Sequence, residues 1–175
     1  MINTTPQLVS GEDLTRGRGV DHSKTIVAFC VSGLCFGLPV EAVRRVISAF
    51  QISPLPGDVP AIVGGVIQAE GILMPVIDPH RLMMRGVPAA LTLQSRFIIA
   101  QTPTRLVAFV ADAVDGVKHI PAETFRHMEQ LSSDVMLLRE VGTLGSDLIY
   151  IYAPDNLLVR EDEAALSAAI GGLLQ

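Results

Sequence analysis

The stretch from Ile52 to Met83, ISPLPGDVPAIVGGVIQAEGILMPVIDPHRLM, leaves this chain few ways to fold. It is apolar, studded with Gly and Pro, and nearly free of groups that do chemistry. Pro54-Leu55-Pro56-Gly57 breaks the backbone sharply, because Pro fixes φ and cannot donate to a β ladder. Beyond the break, Gly64–Ala69 and Ile72–Ile77 read as the two strands of a hairpin turning at Glu70-Gly71. Asp78-Pro79 then starts a helix, with Asp as the cap and Pro at a first helical position whose N–H has no partner to lose. That helix runs from Pro79 to about Met84, and Gly86 with Pro88 ends it. A shaped β surface of this kind suits holding other proteins together better than catalysis.

Similar short β-type runs recur along the chain, separated by turn residues. Lys24–Ser32 and Leu34–Val40 flank a Ser32-Gly33 turn, which sets Cys30 directly opposite Cys35. Val43–Ile52 follows a short helical turn around Pro39–Ala42. Arg96–Gln101, Leu106–Ala111, Val114–Ile120 and Leu148–Ala153 are the later strands. Between the last two, Pro121–Leu144 is less regular, with a helical turn at Ala122 to Glu129. Pro154-Asp155-Asn156 opens another turn, and Glu161–Leu174 reads as a terminal helix whose first turn carries acidic residues, where the dipole favours them. Many short strands with few helices argue an all-β barrel architecture. The Arg85–Gln94 break offers a dividing point between two small barrels with one core. Met1–Ser23 lacks periodicity and reads as a flexible tail. The folded domain is then residues 24–160, with 161–175 a helical tail.

Composition excludes several classes of function. Hydrophobic residues at 49% and charged residues at 18% rule out disorder across the chain, and 175 residues suffice for a real core. No uninterrupted apolar run approaches the roughly 20 residues of a membrane span. Met1–Val20 has neither the basic start nor the apolar middle of a signal peptide. A soluble cytoplasmic protein without direct membrane insertion is expected. Lys and Arg number 13 against 18 Asp and Glu, a net charge of −5 with no basic run, so nucleic acid is not an expected partner. High apolar content beside low charge suggests that some apolar surface is reserved for partners.

Candidate chemistry is sparse. No Ser lies in a Gly-x-Ser-x-Gly elbow, and no local His/Asp pattern supports a triad. His22, His80, His119 and His127 are too scattered for a helical metal site, and two Cys make a poor structural zinc set. No phosphate-cradling glycine motif is present. Asp112 and Asp115 read as turn residues capping backbone N–H groups rather than as an acid/base pair. Cys30 and Cys35 read as two small buried thiols. No catalytic residue, cofactor or metal is expected, and a small barrel enzyme or ligand-binding domain would need a polar pocket with perturbed titrating groups.

Taken in order, the motifs resemble the CheW-like domain, the coupling module of bacterial chemotaxis arrays. That family shows Leu-Pro, then Pro-x-x-Ile/Val-x-Gly-Val, Asn-Leu-Arg-Gly and Pro-Val-Ile-Asp-Leu. Here stand Leu55-Pro56, Pro60-Ala61-Ile62-Val63-Gly64-Gly65-Val66, Gln68-Ala69-Glu70-Gly71 and Pro75-Val76-Ile77-Asp78-Pro79. Phe36–Val40 with Val43–Val46 resembles the family's Tyr/Phe-Gly-Ile-x-Ile and Val-x-Glu-Ile. Leu106–Val117 resembles Val-Gly-Ile-Val-Val-Asp-x-Val. Val141–Gly145 falls where the family has a Gly-containing turn, and Leu148–Ala153 where it has its last strand.

The resemblance, over about Lys24 to Val159, implies two small five-stranded SH3-like barrels packed around a shared apolar core, and no catalysis. It implies an adaptor that couples chemoreceptor cytoplasmic tips to the regulatory domain of a CheA-type histidine kinase. The alternative is a divergent CheW-like protein serving a non-flagellar or alternative array, or a competitor of the main adaptor. By resemblance, Val43, Arg45, Gly65, Glu70 and Gly71 border the receptor site, and Ala108 and Gly142 close its opposite wall. Ala108 stands where the family often has Gly, which would narrow that wall. Two charges are exchanged: the family's Asn-Leu-Arg-Gly arginine is Glu70 here, and its Val-x-Glu-Ile glutamate is Arg45. If the two side chains face each other, an ion pair of reversed polarity keeps the fold satisfied; independent drift at two solvated positions is the other reading.

Overall fold

Strands that are apolar on both faces must bury both, and this requirement organises the molecule. In the computed structural model, residues 23–83, 86–127, 138–158 and 160–174 are described. The strands are β1 (Lys24–Val31), β2 (Leu34–Pro39), β3 (Val43–Ser48), β4 (Val63–Ala69), β5 (Ile72–Ile77), β6 (Arg96–Gln101), β7 (Leu106–Ala111), β8 (Ala113–Ile120), β9 (Arg126–His127), β10 (Leu138–Leu144) and β11 (Asp147–Tyr152). One helix, α1 (Pro79–Met83), follows β5, and another, α2 (Arg160–Leu173), follows β11. The first sheet has the order β8-β1-β2-β11-β10-β9 and the second β3-β6-β7-β5-β4. Counting the two-residue β9, the first sheet has six strands; the second has the expected five.

Along β7, Ala108 and Val110 face the interior of the second barrel, while Val107, Phe109 and Ala111 face the other sheet. On β6, Phe97 and Ile99 point inward and Ile98 and Ala100 outward to the same neighbour. From the first sheet, Ile26 and Ala28 of β1 fill its own barrel with Ile149 and Ile151 of β11. Phe29 and Val31 meet the second sheet, joined by Phe36, Leu38 and Tyr152. Three apolar clusters result, one inside each barrel and one in the seam between them. The seam is aromatic at its centre: Phe29 lies 5.8 Å from Phe36 and 6.5 Å from Phe109, and Phe109 lies 5.6 Å from Tyr152, centroid to centroid. Burying side chains of this size stabilises by about 1.5–3 kcal/mol each.

The Arg85–Gln94 break does not divide the barrels. β3, β4 and β5 precede it, β6 and β7 follow it, and all five form one sheet. The exchange between barrels occurs instead at the turn after β2 and in the short step from β7 to β8. Three further expectations change. The strand predicted to Ile52 ends at Ser48, and Ser53 returns to pair with Val66 of β4. Val141–Gly145 is mostly strand, because β10 continues to Leu144 and the turn falls at Gly145-Ser146. The helical turn expected from Ala122 to Glu129 is a 3-10 turn over Ala122–Thr124 followed by β9, and Met128 and Glu129 lie outside the described residues. The N-terminal tail expectation also falls outside them, apart from Ser23.

The terminal helix is part of the body. Leu166 of α2 is fully buried against the seam cluster, with Leu157 beneath it and Ile170 one turn on. Its polar edge is tied to the β6–β7 turn: Arg105 pairs with Glu163 at 2.8 Å, and Thr104 Oγ1 donates to Glu163 Oε1 at 2.7 Å.

Candidate docking site

The Glu70-Gly71 turn builds the most distinctive surface feature. Glu70 has φ 51° and Gly71 φ 80°, the left-handed pair of a type I′ turn, whose twist matches the strands it joins. β4 and β3 are the two edges of the second sheet, so a barrel forms only if something ties them. One tie is backbone: Ser53 N donates to Val66 O at 2.9 Å, and Val66 N donates to Ser53 O at 2.8 Å. The other is the ion pair of Arg45 Nη1 with Glu70 Oε1. The hydrogen bond from Arg45 holds the Glu70 carboxyl below its usual range. Arg45 and Glu70 therefore do face each other, joining the β3 edge to the β4–β5 turn. Glu70 is 68% exposed and Arg45 34%, so the pair is a surface feature with little weight in stability.

Of the sequence-predicted residues, Arg45, Glu70 and Gly71 come together here. Val43 lies at the start of β3 and packs partly buried on the seam cluster. Gly65 is buried with φ 140°, at the irregularity where β4 pairs with β5. A Cβ there would lie 2.3 Å from Ser53 O, so the backbone that Gly65 admits is the chain's own. Ala108 and Gly142 do not form an opposite wall. Ala108 is fully buried inside the second barrel. Gly142 is buried in the first barrel, where a Cβ would meet Ile120 Cγ2 at 2.8 Å. Both are small because a core crowds them.

Sequence reading missed the exposed apolar residues. Val46, Phe50 and Ile72 are 40%, 42% and 47% exposed, on or beside β3 and β5. Ile72 follows the turn directly, and its place beside Glu70-Gly71 was the available signal. On the first barrel, Leu34 and Leu148 are 43% and 54% exposed. They sit side by side, one residue before the parallel pair Cys35↔Ile149.

Several charged groups are engaged structurally. Lys24 pairs with the buried Glu140, and its ammonium lies 4.9 Å from the Phe125 ring centroid. Asp112 Oδ2 accepts from Ser32 N at 2.7 Å, the turn-capping role expected of it. Among the described residues, no group of three or more His, Cys, Asp or Glu is placed to hold a metal ion. No helix among them is long and apolar enough to cross a membrane.

Two small barrels joined by an apolar seam, with exposed apolar residues on each, define the module. The chain belongs to the CheW-like domain family, whose model matches residues 25–162. It is 27% identical over 145 residues to the chemotaxis protein CheW of Rhizobium meliloti, covering 81% of this chain and 92% of that one. Protein FrzA of Myxococcus xanthus is 33% identical over 93 residues, 53% of this chain and 57% of that protein. The crystal structure of the scaffolding protein TtCheW from Thermoanaerobacter tengcongensis superposes with a TM-score of 0.67 at 22% identity, over 79% of this chain and 94% of that one. The family is that of chemotaxis signalling adaptors, and the fold is the one this scaffolding protein adopts.

Proposed function

We propose that this chain is a cytoplasmic adaptor that couples the cytoplasmic tips of chemoreceptors to the regulatory domain of a CheA-type histidine kinase, at membrane-associated arrays. The observation that carries the reading is the CheW-like match across residues 25–162, over the whole two-barrel body. The exposed apolar ends support the way it would work. Leu34 and Leu148 on one barrel suit packing against a homologous barrel of the kinase, while the second barrel, with Arg45, Glu70 and Gly71, receives a receptor helix. Val43 supports that edge from below, and Gly65 keeps it closed. A charge of reversed polarity at such an edge selects partners more than it adds affinity, since like charges brought together exclude the wrong ones.

The test uses purified chain, receptor tip fragment and kinase. Both partners should be retained at micromolar concentration, and Glu70→Arg should lower receptor-dependent kinase activation about tenfold. Adding Arg45→Glu to that variant should partly restore it, because the pair re-forms with opposite polarity. Kinase activity untouched by either substitution would remove these residues from the coupling surface. Failure to retain either partner would end the adaptor reading.

A further inference from the structure

The two cysteines take no part in the docking surface, yet the hairpin places them with care. The Ser32-Gly33 turn has φ 51° and 78°, a type I′ turn joining β1 and β2 through two residues. Val31 and Leu34 flank the turn as its hydrogen-bonded pair, so Cys30 and Cys35, next in register, form a non-hydrogen-bonded pair. Cα atoms of such pairs approach to about 4.5 Å, within the range of about 4.4–6.8 Å that a disulfide spans. The sulfurs are 3.9 Å apart, and both residues are half-buried rather than buried. A third group completes the arrangement: Cys30 Sγ donates to Asp115 Oδ2 at 3.4 Å from the neighbouring strand β8.

We propose that Cys30 and Cys35 are a reversible dithiol–disulfide site, with Asp115 accepting the proton that Cys30 gives up. With a peroxide as oxidant, the Cys35 thiolate attacks one peroxide oxygen. The S–O bond forms as the O–O bond breaks, leaving a sulfenic acid on Cys35 and a hydroxide that takes the proton Cys35 shed. Cys30 sulfur then attacks the Cys35 sulfur as Asp115 takes the Cys30 proton. The S–S bond forms, the S–O bond breaks, and the leaving hydroxide recovers that proton as water. Two thiols lose two electrons and two protons, and hydrogen peroxide becomes two waters. A low-molecular-weight thiol reverses the step by exchange through a mixed disulfide, supplying the two electrons. The order of attack follows from surroundings. The Cys30 S–H is committed to Asp115. Burial, with the hydrogen bonds to Asp115 and Cys35, pushes this thiol up to about 12, so Cys30 keeps its proton through the first step and passes it to Asp115 only as its sulfur attacks.

The experiment treats the full chain with equimolar hydrogen peroxide and follows intact mass and thiol alkylation. The expected product is a monomer lighter by two hydrogens with no alkylatable thiol, returned to the starting mass by dithiothreitol. Because the chain has 2 cysteines, an intramolecular bridge can only join this pair. In Cys30→Ser, dimedone should trap a sulfenic acid on Cys35. In Cys35→Ser, the remaining Cys30 should react about tenfold more slowly. Asp115→Asn should slow closure about tenfold and let the Cys35 sulfenic acid accumulate. Free thiols remaining after treatment, or a disulfide-linked dimer as the product, would overturn the site. Closure of Asp115→Asn at the unaltered rate would overturn the role given to Asp115.

Discussion

Asp78 is 1% exposed, yet both of its carboxylate oxygens are employed. Oδ1 accepts from His80 N at 3.1 Å, the helix cap expected from Asp-Pro, and Oδ2 accepts from Ala89 N at 2.9 Å. The second bond was not legible, because Ala89 lies beyond α1 in a loop whose path no local motif specifies. One residue thus starts the helix and pins the returning loop. Asp78→Ala should destabilise by about 1–3 kcal/mol, the lost cap plus a part-buried N–H left without its acceptor. A lowered urea midpoint with an unchanged slope checks this. Tyr152 offers a pH prediction. Burial first, and the nearby charge of Asp78 second, raise its phenol well above the ordinary value of 10.0. The folded state therefore keeps a proton that the unfolded state releases, so stability is complete below about pH 10 and falls as pH rises further. Tyr152→Phe should flatten that alkaline decline in thermal melts, leaving any remaining slope to other groups.

The elements that were legible are those fixed by one or two residues. Ser32-Gly33 and Glu70-Gly71 both demand positive φ at two successive positions, and the hairpins on either side follow from that requirement. Elements set by long-range pairing were less legible. Val43–Ile52 keeps apolar residues to its end, and nothing in it announces that the strand stops at Ser48 so that Ser53 can close the barrel against Val66. Small residues misled most: Ala108 and Gly142 read as a docking wall, whereas buried neighbours impose their size. Gly65 has the same cause with a sharper consequence. Gly65→Ala would place a methyl 2.3 Å from Ser53 O at a φ that L-residues rarely adopt, so the closing pair should open. Faster hydrogen exchange at the Ser53 and Val66 amides, with the β1–β2 hairpin unaffected, is the expected signature.

At the scale of the molecule, the seam decides whether two barrels behave as one protein. The sequence implied a shared core, but the Arg85–Gln94 break misplaced the division, because a chain that leaves one sheet at β3 and returns at β8 carries no local mark of doing so. What it does carry is the apolar runs Ile26–Val31, Phe97–Ala100 and Leu106–Ala111 within β1, β6 and β7, and strands with two buried faces need a neighbour on each. Helix α2 extends this logic past residue 160, since Leu166 completes the same cluster. If the seam is the common core, neither barrel retains its stability once that core is emptied. Phe109→Ala tests this: the ring is fully buried and meets Phe29 and Tyr152 from the first sheet at 6.5 and 5.6 Å. The substitution should cost about 3–5 kcal/mol, a cavity in a seam that cannot collapse without moving both sheets. Signals from residues of the first and second barrels should melt together at a lower temperature, as one transition. Separate transitions, with the first barrel melting where it did before, would mean that each barrel is held by its own interior cluster and that the seam merely joins them.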